Sequence, residues 1–185
     1  MSTPDLCIIG AGSAGLSVAA AAAQMGAAVV LIEKGRMGGD CLNVGCVPSK
    51  SLLAAAAAAQ SMRAGAPFGV APVEPDVDFS AVRRHVRDVI AGIAPMDSVE
   101  RFQGLGVQVI RAPARFTGPD EVVAGGRRVR ARRYVVATGS RPAVPPLAGL
   151  AEGQYLTNET VFDLPALPPR LLVLGGGAVG CELAQ

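Results

Sequence analysis

Two glycine-rich turns, each directly behind a short apolar run, restrict the folds open to this chain more than any other feature. Leu6-Cys7-Ile8-Ile9 leads into Gly10-Ala11-Gly12-Ser13-Ala14-Gly15, and Leu171-Leu172-Val173-Leu174 leads into Gly175-Gly176-Gly177-Ala178-Val179-Gly180. Neither apolar run has helical spacing, so each copy reads as strand, tight turn and helix. In such a device the first glycine permits the bend. The second lets backbone N–H groups approach a pyrophosphate, and the third lets the helix pack on the strand. Gly10, Gly12 and Gly15 fit these roles in the first copy, and Gly175, Gly177 and Gly180 in the second. A repeat 165 positions apart predicts two dinucleotide sites.

The first copy continues as such a unit should. An Ala-rich helix is expected from Leu16 to Met25, ended by Gly26, and Ala28-Val29-Val30-Leu31-Ile32-Glu33 reads as a second buried parallel strand. Glu33 lies 18 residues after Gly15, where an acid can accept hydrogen bonds from a ribose hydroxyl. On these residues alone the ligand is NAD or FAD. The second copy is expected to be cut, with Gln185 inside its first helix.

Between the two copies, a helix is expected from about Ser49 to Arg63, with six alanines from Ala54 to Ala59 that allow close packing. Turn-forming residues fill Pro67 to Pro75. A helix follows from about Phe79 to Phe102, with a break at Pro95. Val107–Ile110, Ala114–Phe116, Glu121–Ala124 and Arg128–Ala131 read as a hairpin meander, turning at Gly125-Gly126. Tyr134–Ala137 resumes the parallel-strand character and ends at Thr138-Gly139-Ser140. A Pro-rich connector, with a short helix near Glu159, then reaches a new strand at Leu171.

Composition excludes several function classes. Half of the residues are hydrophobic, enough for a sizeable core. The net charge of +2 is the small difference between 17 basic and 15 acidic residues, so no nucleic-acid partner is implied. Arg127, Arg128, Arg130, Arg132 and Arg133 form a basic run, but they alternate with Val129 and Ala131 and lack interleaved aromatics, as on a strand with one solvated edge. The first five residues carry Asp5 rather than a basic leader, and no run of 18 apolar residues avoids both glycine and charge. A cytoplasmic protein with no membrane partner is expected.

In a reducing compartment, cysteines with four residues between them point to catalysis or metal binding before a structural staple. Cys41 and Cys46 have that spacing, in Gly38-Gly39-Asp40-Cys41-Leu42-Asn43-Val44-Gly45-Cys46-Val47-Pro48-Ser49-Lys50. Zinc would need more ligands, and the one histidine, His85, sits in an ordinary amphipathic stretch. As a staple, so short a loop would contribute only about 2 kcal/mol. Two unrelated thiols remain an alternative. Against it, Pro48 suits the first turn of a helix, and a cysteine at a helix start has its thiolate favoured by unbonded N–H groups and the macrodipole. Cys7 in its strand and Cys181 behind the second glycine turn read as packing residues.

The segment GGDCLNVGCVPSK, preceded by GAGSAG and followed by VVATGSRP and GGGAVGCE, resembles the class I pyridine nucleotide-disulfide oxidoreductases over essentially the whole chain. The resemblance implies a Rossmann-like α/β FAD-binding domain with a β-meander insertion over residues 1–150. Residues 151–185 would be a connector and the truncated start of a second Rossmann-like, NAD(P)-binding domain. It implies FAD at the first turn, held by Gly10, Gly12, Ser13, Ala14, Gly15, Glu33, Lys34, Gly39, Asp40, Ala114, Thr138, Gly139 and Ser140. It implies NAD(P) at Gly175, Gly177 and Gly180. Cys41 and Cys46 would form a redox-active disulfide, with Cys46 against the flavin and Cys41 exchanging with substrate. Lys50 would lie by the flavin, paired with Glu182.

Members of the family act on small or protein-bound disulfides and dithiols. They work as homodimers with a histidine base near the C-terminus, which this chain lacks, so residues 1–185 alone are expected to turn over negligibly. Ser49 before Lys50 is similar to dihydrolipoamide dehydrogenases and mercuric reductases, where glutathione reductases usually carry Lys, while Asp40 departs from the commoner Thr. A dihydrolipoamide dehydrogenase-like enzyme is the leading expectation, and a mercuric(II) reductase is the alternative. A non-catalytic FAD-binding fragment is the expectation from a different class. The residue that would separate NAD from NADP falls beyond Gln185.

Overall fold

The computed structural model describes residues 3–150 and 155–185. They form two compact units: Met1–Asn43 with Gly92–Ala143, and Val44–Ala91 with Val144–Gln185.

The first unit is built on a parallel sheet of β1 (Leu6–Ile9), β2 (Val29–Glu33), β3 (Gln108–Arg111) and β7 (Arg133–Val136), in the order β3-β2-β1-β7. β1 and β2 are nearly all apolar because both sheet faces are covered. Alternate residues serve the two faces. Ile8, Val29 and Leu31 pack with Leu16 and Ala19 of α1 (Ser13–Gln24) and with Phe102 of α5 (Val99–Gly104). Cys7, Val30, Ile32 and Ile110 pack instead with Val122, Ala124 and Val129. Those last three belong to a second, antiparallel sheet of β4 (Ala114–Gly118), β5 (Glu121–Ala124) and β6 (Arg127–Val129). The unit is therefore three layers deep: helix, parallel sheet, meander.

α1 begins at Ser13 rather than Leu16, since Leu16 N already donates to Gly12 O at 2.9 Å. Its end comes as expected, with Gly26 at φ +82°. The meander turns at Gly125 and Gly126, both at positive φ (+56° and +74°), the conformation a two-residue hairpin requires. The run before the meander belongs elsewhere: β3 pairs in parallel with β2, not with β4. Its apolar residues Val107 and Ile110 are buried on opposite faces of the parallel sheet, as a doubly covered strand allows. Burial in the middle layer pushes the Cys7 thiol up to about 11, so Cys7 is a packing residue.

The second unit contains α3 (Cys46–Arg63) and most of α4 (Phe79–Ile93). The expected helix from Phe79 to Phe102 is divided: α4 ends at Ile93, a 3-10 turn spans Ala94–Asp97 with Pro95 in its first turn, and α5 starts beyond Ser98, whose hydroxyl caps it. The connector joins the end of α3 through Arg63, which grips Glu74 at 2.6 Å, and through Val73 N donating to Met62 O at 2.9 Å. Near Glu159 the chain forms a 3-10 turn, Val161–Asp163. Leu171–Leu174 does not form the expected strand, because no described strand pairs with it. α6 (Ala178–Leu183) follows the second glycine turn.

Candidate functional site

In the first unit the glycine turn is enclosed by backbone on two sides. Gly10 has φ +106°, and a Cβ placed there would stand 2.1 Å from Ala137 O. The end of β7 is held in that position by Ala137 N donating to Ile9 O at 2.8 Å, so Thr138, Gly139 and Ser140 leave the sheet beside the turn, exposed. On the other side Gly38 N donates to Ala11 O at 2.9 Å, and a Cβ on Gly39 would come within 2.6 Å of Gly12 Cα. Gly15 lies against Gly10, with 1.8 Å from its would-be Cβ to Gly10 O. Only glycine fits these approaches.

At the floor of this cradle α1 opens without a side-chain cap, no acid stands in its first turn, and Ser13 and Ala14 are exposed. Uncapped N–H groups at the start of a 12-residue helix form a ready site for a phosphate. Glu33, at the end of β2, is fixed at the rim. Its Oε2 accepts from Ala11 N at 2.6 Å and its Oε1 from Gly35 N at 2.5 Å. Lys34 beside it is exposed, and Ala114 begins β4 half-buried. The cradle suits a dinucleotide pyrophosphate, with Glu33 placed for a ribose.

Gly39 begins a short helix, α2 (Gly39–Val44), that the sequence did not suggest. It carries Asp40, exposed, and Cys41, half-buried, and is held by Asn43 Nδ2 donating to Met37 O and Gly39 O at 3.0 and 2.8 Å. The backbone that walls the cradle thus turns directly into the helix bearing Cys41.

In the second unit Cys46 is the first residue of α3 and is exposed, while Pro48 is buried in the same turn. The helix starts from Gly45, with Ser49 N donating to Gly45 O at 3.0 Å, no side-chain cap and no acid in the first turn. One turn on, Lys50 Nζ lies 2.5 Å from Glu182 Oε1. In the sequence Ser49 is only a mark of subfamily. Its hydroxyl donates to that same Glu182 oxygen at 2.7 Å. Lys50, and then Ser49, hold the Glu182 carboxyl below its ordinary value. α2 and α3 together, Gly39–Arg63, are long and apolar enough by composition to cross a membrane. Lys50, within that stretch, is ion-paired with Glu182.

The second glycine turn repeats the first in detail. Gly175 has φ +108°, a Cβ on Gly180 would lie 2.3 Å from Gly175 O, and Cys181 N donates to Gly177 O at 2.9 Å. The arginines before β7 are engaged: Arg128 and Arg130 bind Glu121, which also accepts from Thr117, and Arg132 binds Asp5.

The family model described as pyridine nucleotide-disulphide oxidoreductase matches residues 4–185. The chain belongs to that family. A mercuric reductase of Streptomyces lividans is 41% identical over 98% of this chain and 40% of its own length. A dihydrolipoyl dehydrogenase of Thermus scotoductus is 37% identical over 100% and 40%. Among solved structures, the Cu(II) complex of the HOCl-induced flavoprotein disulfide reductase RclA from Escherichia coli superposes with a TM-score of 0.79 at 26% identity, covering 97% of this chain and 38% of that one. The chain thus spans 40% of the length of each of these two curated relatives. Its fold is that of a flavoprotein disulfide reductase FAD-binding domain, and the cofactors of the family are FAD and NAD(P).

Proposed function

We propose that this pyridine nucleotide-disulphide oxidoreductase chain holds FAD at Gly10–Gly15 and uses Cys41 and Cys46 as its redox-active disulfide. The observation that carries this reading is the close approach of Gly39 to Gly12, two residues ahead of Cys41. The same backbone shapes a phosphate cradle and starts the cysteine helix.

Bound there, FAD supplies a two-electron link between nicotinamide hydride and thiol–disulfide exchange. Gly10, Gly12 and the N–H groups of Ser13 and Ala14 hold the pyrophosphate. Glu33 orients the ribose, Thr138–Ser140 border the cofactor, and Gly175, Gly177 and Gly180 begin the nicotinamide site. Cys46, exposed at an uncapped helix start, would be the flavin-side thiol of the pair. Cys41 is the exchanging thiol: a substrate thiolate attacks the Cys41 sulfur of the disulfide and displaces Cys46, and the second substrate thiol then resolves the mixed disulfide, leaving the substrate oxidised and the cysteine pair reduced. Lys50 holds positive charge one turn beyond Cys46, balanced by Glu182. The attacking substrate thiol gives its proton to a general base; the one histidine of the sequence, His85, lies on α4.

For substrate, Ser49-Lys50 supports a dihydrolipoamide dehydrogenase-like exchange in the full-length protein, working as a homodimer in the cytoplasm. The 41% identical mercuric reductase favours a second reading, reduction of Hg(II). Paired assays of the full-length protein, dihydrolipoamide with NAD and Hg(II) with NADPH, separate them. For the cysteines, a Cys46→Ser protein should lose the long-wavelength absorbance that appears on reduction, and Cys41→Ser should keep it. Persistence of the band in Cys46→Ser would reverse the assignment of the two thiols.

A further inference from the structure

Ser49 of α3 has a hydrogen-bond partner far from it in sequence, Glu182. It is 8% exposed in the first turn of α3, and its hydroxyl has two acceptors within reach: Glu182 Oε1 at 2.7 Å and the Cys46 carbonyl at 3.3 Å. A hydroxyl has one proton to give, and the shorter contact, to an ionised acceptor, is the stronger. Glu182 Oε1 therefore receives two donors, the Ser49 hydroxyl and the Lys50 ammonium. The two donors differ in freedom. Ser49 is buried and short, fixed by the helix. The Lys50 side chain is 65% exposed on a flexible stem, and its ammonium has three protons to donate.

We propose that Ser49 is a positioning residue that anchors the Glu182 carboxylate independently of Lys50. Lys50 can then turn to another anion in the active site while Glu182 keeps its place under the first turn of α3. Without Ser49, each departure of Lys50 would leave a half-buried carboxylate with no donor from α3, and that cost would hold Lys50 in the ion pair. The groups of α3 bonded to Glu182 are Lys50 and Ser49, and the Cys46 carbonyl lies within reach of the Ser49 hydroxyl. The idea rests on the proposed function only for what Lys50 does after leaving. The anchoring itself concerns this chain's own residues.

The test is the titration of the Glu182 side-chain carboxyl carbon, followed by NMR in the chain carrying Lys50→Met, and in the same chain carrying Lys50→Met with Ser49→Ala. Alanine is the best helix former and methionine keeps the apolar stem, so both chains should fold, and a matching thermal midpoint checks this. With Ser49 present, the Lys50→Met chain should titrate at lower pH than the double variant, and Ser49→Thr in place of Ser49→Ala should restore the lower midpoint. Coincident midpoints for Lys50→Met and the double variant would overturn the proposal. No flavin enters this measurement, so its failure is distinct from failure of the FAD assignment, which shows instead as absent cofactor.

Discussion

The two glycine turns share their local geometry and differ in everything around it. Gly10 and Gly175 have φ of +106° and +108°, and each is closed over by the third glycine of its motif. Around the first, β1 is paired on both sides and Ile8 is fully buried. Ahead of the second, Leu171–Leu174 pairs with no described strand, and Leu172 is 84% exposed. The bend is thus a property of three glycines and a following helix. A strand is a property of its neighbours. A dinucleotide site needs more than the bend: the first turn also has Glu33 on its rim, Gly39 against its second glycine and Ala137–Ser140 along its edge.

The comparison can be broken in graded steps. Leu31, with no exposed surface, and Leu172 are equivalent in sequence type and opposite in setting. Leu31→Ala should cost about 2–5 kcal/mol in chemical denaturation, and Leu172→Ala within about 0.5 kcal/mol. Similar losses would mean that Leu172 is as well packed as Leu31. Gly15→Ala and Gly180→Ala introduce the same local clash. Gly15→Ala should cost about 1–3 kcal/mol and release FAD, because it pries α1 from the sheet. Gly180→Ala should cost less and leave FAD in place; release of FAD by both would erase the distinction between the turns.

The smallest effect concerns acid. Glu121 in the first unit is held below the usual glutamate value of 4.5 by Thr117 first, then Arg130 and Arg128. Glu182 in the second is held down by Lys50, then Ser49. A carboxyl depressed on folding stabilises fully above its unfolded value, and that contribution is lost as pH falls through the folded one. Denaturation midpoints should therefore fall on acidification from 4.5 downward, and less steeply in Glu121→Gln and Glu182→Gln. Steeper loss in either variant would contradict the pairing.

What could be read from sequence was local. β1, the glycine turn, β2, the Gly125-Gly126 hairpin and the interruption at Pro95 each rest on a few adjacent residues with a fixed conformational demand. What could not be read was settled at a distance. β3 looked like part of the meander because an apolar strand does not name its partner, and β2 claimed it. Leu171–Leu174 looked like a strand for the same reason and found none. α2 was hidden because two positive-φ glycines and five residues offer no periodicity. The glycines, Glu33 and the cysteine pair are legible as a candidate site from spacing. The contact of Ser49 with Glu182, 133 residues away, left no local trace.

The central claim is that the first glycine turn, not the second, carries FAD. Nucleotide released by denaturing the purified chain and identified by chromatography tests it directly, beside a Gly12→Val chain whose side chain would fill the space between Gly12 and Gly39. The account predicts FAD, close to one per chain, lost in Gly12→Val while the circular dichroism of the folded chain is kept. A folded chain that holds no FAD, or one that keeps it in Gly12→Val, would contradict it.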